Sequence, residues 1–329
     1  MTEYPWLKEH LERWLKLKLS NQLPHAVLLS GNNGLAKRQL AQEMAHIAVC
    51  EKLSNKGVCH HCKGCLLFKS GNHTDIKTIT AEKEVIKIDQ IRKLSKDVVL
   101  SSSRNQHRIM VIENAEKMNK SSANALLKTL EEPPENVVII LTSSEIGQLL
   151  PTIKSRCFKI TIHSLDHGQI SRYLNDCGLD NKKDIERAIL LSNNAPLMAV
   201  NILKNNTLEH VKDMLLDLNY LTKKQKTVVE VTQKWIKNEQ ISYLNFVANY
   251  YLSIIKYNMG INHKIDFTHL SKENYSYVEN QNKKLLTFIN NIFILMARQK
   301  TALKIELLLE ELLIGWQNDF EIKQTQNLH

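Results

Sequence analysis

The sequence predicts an α/β domain built on a parallel sheet, carrying an inserted metal-binding module and followed by helical segments. Three observations point there. Short apolar runs of strand type alternate with helix-type spacing in the first half. Eight of the ten glycines and all six prolines lie at or before Pro196, so the long stretch after it holds only Gly260 and Gly315 as breakers. Four of the six cysteines crowd between Cys50 and Cys65.

The elements follow in order. His25–Ser30 is a short apolar run that ends in a glycine-containing loop, and Arg38–Val49 then shows helical spacing through Leu40, Met44, Ile47 and Ala48. Arg108–Ile112 reads as a second, buried strand. Asn119–Glu132 reads as a helix with Asn119 or Ser121 as its cap, Ala123, Leu126, Leu127 and Leu130 on one face, and a stop at Pro133–Pro134. Val137–Thr142 is a third strand and Phe158–Ile162 a fourth. Residues 1–162 are therefore expected to form the α/β domain. Residues 163–205 have the pattern of short helices, a small helical lid, and residues 206–329 read as helical to the end. There Leu303, Leu307, Leu308 and Ile314 form an apolar stripe expected to be mostly internal core, and Gln324–His329 are expected to fray.

The 329 residues carry 44 Lys and Arg against 34 Asp and Glu, a formal charge of +10. That balance suits a neighbour of nucleic acid through phosphate attraction, and equally a solvated basic surface. No stretch approaches 18 uninterrupted apolar residues, which argues against a membrane span, and charged residues break up the first 19 positions where a secretion signal would need an apolar core. A cytoplasmic location is expected, and there the cysteines are not expected to be disulfide staples.

Cys50, Cys59, Cys62 and Cys65 follow the spacing C-x8-C-x2-C-x2-C. Two-residue spacing lets successive thiolates converge on one tetrahedral ion, with Gly57 and Gly64 easing the turns, and four thiolates leave no open position, so the expected zinc is structural (module about 50–65). A reduced cysteine-rich loop and an iron–sulfur cluster are the alternatives. Cys157 and Cys177 stand apart and are expected to be small buried hydrophobes.

Residues Gly31-Asn32-Asn33-Gly34-Leu35-Ala36-Lys37-Arg38 follow a strand and open a helix, the context of a phosphate-binding loop of the form G-x4-G-K-[ST]. Gly31, Gly34 and Lys37 are in place. Ala36 replaces the second motif glycine and adds a Cβ where the backbone approaches phosphate. Arg38 replaces the hydroxyl that ligates Mg²⁺. On the second strand, Glu113-Asn114 stands where an ATPase carries Asp-Glu, the first acid holding Mg²⁺ and the second positioning the attacking water. Glu113 keeps part of the first role; Asn114 is no base. These departures predict a loop retained as a fold element, with weak or no nucleotide binding and no hydrolysis by this chain.

The cysteine module after the loop helix, the string Ser122-Ala123-Asn124-Ala125-Leu126-Leu127-Lys128-Thr129-Leu130-Glu131-Glu132-Pro133-Pro134, the triplet Ser155-Arg156-Cys157 and the start Tyr4-Pro5-Trp6-Leu7 together resemble the bacterial AAA+ clamp-loader family, over about residues 4–160. The resemblance implies an α/β AAA+ domain, a lid, and an all-α collar at 206–329 that joins subunits. It implies partners: ATPase subunits, a clamp-opening subunit, the sliding clamp and primer–template DNA. It implies that Arg156, with Ser155 and Cys157 of its motif, reaches the neighbouring subunit's ATP as an arginine finger; the bland alternative is a surface arginine paired with a local acid. Thr142 falls where active members carry a polar sensor, and no arginine follows Pro196 where they often place another. An active motor ATPase would need glycine at 36, a hydroxyl at 38 and Asp-Glu at 113–114. A zinc-dependent nucleic-acid module outside replication would not account for Ser155-Arg156-Cys157. No polymerase carboxylate set is visible, so polymerase chemistry belongs to the holoenzyme.

Overall fold

A computed structural model describes residues 3–82, 84–100, 107–261, 278, 281–298 and 304–320. The chain divides into two compact units, Met1–Ser164 and Leu165–His329.

The first unit is a five-stranded, all-parallel sheet in the order β2-β3-β4-β1-β5. Its strands are β1 (Ala26–Ser30), β2 (Ile76–Ile79), β3 (Arg108–Ile112), β4 (Val137–Ser143) and β5 (Phe158–Thr161). The four strands expected from apolar runs are present. Between the cysteine module and Arg108 no strand is expected from the sequence, yet β2 lies there. Ile-Lys-Thr-Ile is four residues long and buries only Ile79, because it lies at the sheet edge. The central strands β1 and β4 are buried along their whole length, as a sheet covered on both faces requires.

Helices α1 (Lys8–Leu19), α2 (Lys37–Val49), α3 (Lys63–Lys69), α4 (Ile88–Leu100), α5 (Lys120–Glu131) and α6 (Pro151–Arg156) complete this unit. One core joins Leu28, Met110, Ile112, Ile139 and Leu141 of the sheet to Ile91 and Leu94 of α4, Leu126 and Leu130 of α5 and Ile153 of α6. Asn119 caps α5, its side chain accepting a hydrogen bond from the Ser122 N–H at 2.8 Å. Trp14 of α1 donates its indole N–H to the Met44 carbonyl of α2 at 3.0 Å.

The second unit is helical among its described residues: α7 (His167–Asp176), α8 (Lys182–Leu191), α9 (Pro196–Lys204), α10 (Thr207–Thr222), α11 (Val228–Lys237), α12 (Leu244–Asn258), α13 (Asn282–Arg298) and α14 (Ile305–Phe320). Its core gathers Tyr251, Phe288, Trp316 and Phe320, with ring centroids 4.2–5.8 Å apart along the chain of contacts. The apolar stripe of the last helix differs from the expected one. Leu308, Leu309, Leu312, Leu313 and Trp316 are buried, whereas Leu307 and Ile314 are 57% and 49% exposed. The i, i+1, i+4, i+5, i+8 pattern from Leu308 selects one face, and Leu307 and Ile314, seven apart, share the other. Leu303 and Gln324–His329 lie outside the described residues. Cys157 is buried as expected, but Cys177 is exposed, because it caps the C-terminus of α7 at a surface turn.

Asp217 of α10 is fully buried yet charged. Lys226 and Lys234 reach its two oxygens at 2.8 and 2.7 Å, and the Trp235 indole N–H donates to it at 3.1 Å. Replacement by alanine leaves the indole N–H without its acceptor and removes the carboxylate from the half-buried Lys226 ammonium, while Lys234 retains only Asp213 at 2.8 Å. Asp217→Ala is expected to destabilise this unit by about 3 kcal/mol, and Asp217→Asn by less, since an acceptor remains. Thermal unfolding of the three proteins side by side checks the order; equal melting temperatures would exclude it.

Candidate functional site

Three features of the first unit bear on function: the phosphate-type loop, the cysteine module and Arg156.

The loop keeps its backbone shape. Gly31 has φ +149°, and a Cβ there would run into the Ile162 carbonyl of the chain leaving β5. Ala36 sits in the left-handed region (φ 60°, ψ 33°), a conformation that favours the glycine it replaces. Trp6 donates its indole N–H to the Leu35 carbonyl at 3.1 Å and pins the loop from outside. Lys37, 7% exposed, turns its ammonium onto the loop's own carbonyls, Gly31 O at 2.7 Å and Asn32 O at 2.8 Å. Burial lowers its pKa to about 8, against the partial support of Glu116.

The two altered motifs meet. Arg38 Nε lies 2.9 Å from Glu113 Oε1, with the carboxylate side chain only 7% exposed. The residue that took the place of the magnesium-binding hydroxyl therefore pairs with the residue in the place of the magnesium-binding acid. Glu113, expected to keep a share in holding Mg²⁺, instead gives its carboxylate to a guanidinium. Burial raises the Glu113 pKa, and the Arg38 charge and hydrogen bond oppose the rise. Neither substitution predicts the other in sequence, because 75 positions of chain separate them and only the β1–β4–β3 pairing brings the loop to the end of β3. Asn114, itself left-handed (φ 53°), donates its backbone N–H to the Thr142 hydroxyl at 3.0 Å, so the sensor-position residue serves as an internal acceptor.

The four cysteines converge. Their sulfurs all lie within 4.8 Å of one another, with Sγ–Sγ distances of 3.8 Å (Cys50–Cys59), 3.8 Å (Cys59–Cys65) and 3.6 Å (Cys50–Cys65). A tetrahedral zinc with Zn–S near 2.3 Å has S–S edges of about 3.8 Å, so the set fits that ion. Backbone N–H groups of Cys59, Cys62 and Cys65 point at the sulfurs of Cys50, Cys59 and Cys62 at 3.3–3.4 Å, a pattern that favours thiolate. Burial pushes the Cys59 thiol up, but N–H groups of His61 and Cys62 outweigh it and draw it to about 6. Gly64 serves close approach rather than a turn: a Cβ there would strike the Val49 carbonyl next to Cys50. His60 and His61 are not in the cluster; His61 bonds the Cys59 carbonyl through Nδ1 at 2.7 Å.

Arg156 ends α6. Its Nη2 lies 2.8 Å from Glu131 Oε1 and its Nη1 donates to the Thr152 carbonyl at 3.0 Å, while the side chain stays 36% exposed. Ser155 is exposed and bonds the same Thr152 carbonyl at 3.0 Å; Cys157 turns into the core. The partner of Arg156 is not legible in the Leu-Glu-Glu-Pro-Pro string, since nothing in it says which of Glu131 and Glu132 faces the arginine.

A parallel β2-β3-β4-β1-β5 sheet with a phosphate-type loop between β1 and α2 defines an AAA+-type α/β chain. The sequence profile of the family described as "DNA polymerase III, delta subunit" matches residues 7–166. The DNA polymerase III delta-prime subunit of Pseudomonas aeruginosa is 29% identical over 324 residues, 95% of this chain and 97% of its own length. That of Escherichia coli K12 is 30% identical over 159 residues, 48% of each chain, and the tau subunit of the same organism 33% identical over 168 residues, 51% of this chain and 26% of its own. Over residues 7–166 the chain is thus similar to that family, and over nearly its whole length to a delta-prime subunit of DNA polymerase III.

Proposed function

We propose that this chain works in the cytoplasm as a non-hydrolysing member of the clamp loader. It joins ATPase subunits and a clamp-opening subunit, helps place the sliding clamp on primer–template DNA, and offers Arg156 to the ATP of a neighbouring subunit. The Arg38–Glu113 ion pair carries this reading. A permanently charged guanidinium already occupies the carboxylate that a divalent cation would need, and Asn114 offers no base. Arg156, by contrast, remains partly exposed at a helix end, and a guanidinium supplied in trans stabilises charge on a transferring phosphoryl group. The four cysteines would hold a structural zinc. Residues 163–205 would act as the lid and 206–329 as the collar, where exposed Leu307 and Ile314 suit a contact between subunits.

The test compares Lys37→Ala with wild type in the reconstituted loader, under clamp- and DNA-stimulated conditions. Unchanged ATP turnover by the assembly, with none by the isolated chain, is the expected result. Loss of turnover on Lys37→Ala, or hydrolysis by this chain alone, would return the motor-subunit reading. Arg38→Thr should not restore hydrolysis, because Asn114 still lacks the base. It should lower stability by roughly 1 kcal/mol, the lost pair being half in solvent.

A further inference from the structure

We infer that Glu131 is a positioning residue for Arg156: it holds the guanidinium in the pose from which it engages the neighbour's phosphate. The inference rests on the trans role of Arg156 proposed above.

The geometry has two anchors. Glu131 takes Nη2 at 2.8 Å and the Thr152 carbonyl takes Nη1 at 3.0 Å. A free arginine side chain samples many rotamers, and ordering it when a partner arrives opposes association. Two contacts on different nitrogens fix both the direction and the plane of the fork. A guanidinium has five N–H donors, and these contacts engage one on each terminal nitrogen, so further donors remain for an anion.

Each anchor is itself set by the core. Glu131 follows Leu130, which is 2% exposed, and closes α5 just before Pro133–Pro134 forbid another turn. Arg156 lies three residues after Ile153, which is wholly buried, on a helix whose start is fixed by Pro151. Leu130 and Ile153 belong to one core, so α5 and α6 present carboxylate and guanidinium at a fixed separation. The carboxylate is half exposed, and an exposed pair adds little to folding, so its effect is expected on the placement of Arg156 rather than on stability.

The test is ATP hydrolysis at the partnered site of the reconstituted loader, in single turnover and at steady state, for wild type, Glu131→Gln, Glu131→Asp, Arg156→Ala and, as a control carboxylate outside the pair, Glu132→Gln. Glu131→Gln is expected to lower kcat between about 10-fold and 100-fold with KM for ATP unchanged, the scale of a misplaced charged group. Glu131→Asp should recover part of the loss, and Glu132→Gln should match wild type. The double variant Glu131→Gln/Arg156→Ala should be no slower than Arg156→Ala alone, since the acid acts only through the arginine. Glu131→Gln at the wild-type rate, or faster, alongside a slow Arg156→Ala would overturn the positioning role and leave the trans arginine standing. An Arg156→Ala protein that hydrolyses normally would instead remove the reading on which the inference rests.

Discussion

Cys65→Ser is expected to abolish binding of one zinc ion per chain and to release the loop that follows α2. The module has almost no core of its own: Cys50, Cys62 and Cys65 are its buried members, with only Leu53, Val58 and Cys59 packed against them. Apparent metal-binding free energies of isolated zinc modules are on the order of 10 kcal/mol, and here that energy would order the loop instead of a whole domain. The sheet and its helices should survive, since the larger core contains none of the four cysteines. Zinc quantified by a colorimetric chelator, together with protease cleavage between residues 51 and 63, reads both effects. A variant that still holds stoichiometric zinc and resists cleavage would show that the tetrad is not the ligand set. Chelation of the wild-type protein should reproduce the variant's cleavage pattern, which separates loss of metal from damage done by the substitution itself.

Arg156→Ala has the second large expected effect. An arginine delivered in trans accelerates phosphoryl transfer by roughly 10³-fold or more, so single-turnover hydrolysis at the partnered site should fall on that scale. Arg156→Lys should not rescue it, because an ammonium lacks the planar fork. The fold should be unaffected: the pair with Glu131 is exposed on both sides and contributes about 0–1 kcal/mol. Assembly of the loader by gel filtration, with ATP hydrolysis measured on the same fractions, distinguishes a catalytic defect from a failure to associate. Wild-type hydrolysis by a fully assembled Arg156→Ala loader would exclude the trans role.

Much of this was legible in the residues. Uniformly apolar runs mark β1, β3 and β4 because strands inside a parallel sheet are buried on both faces, whereas β5, at the other edge, shows only the alternation of Phe158, Ile160 and Ile162. Edge strand β2 leaves no such signal, since half of its surface faces solvent. The convergence of the cysteines was legible because ligand spacing is a local property of the chain. Their role in closing the gap to Val49 through Gly64 was not, because that contact joins two ends of the module.

The last helix shows the same division from the other side. Its apolar content is plain in the sequence, but apolar residues surround it, so composition alone could not say that Leu308 and Trp316 turn inward while Leu307 and Ile314 face out. In the nucleotide loop, the sequence by itself determined that Ala36, Arg38 and Asn114 depart from an ATPase, for those are single-position facts. Only the tertiary structure decided that Arg38 and Glu113 neutralise each other and that Arg156 leans on Glu131, because a charged side chain's partner is set by which strand and helix ends the fold brings within about 3 Å, a distance that separation along the chain does not encode.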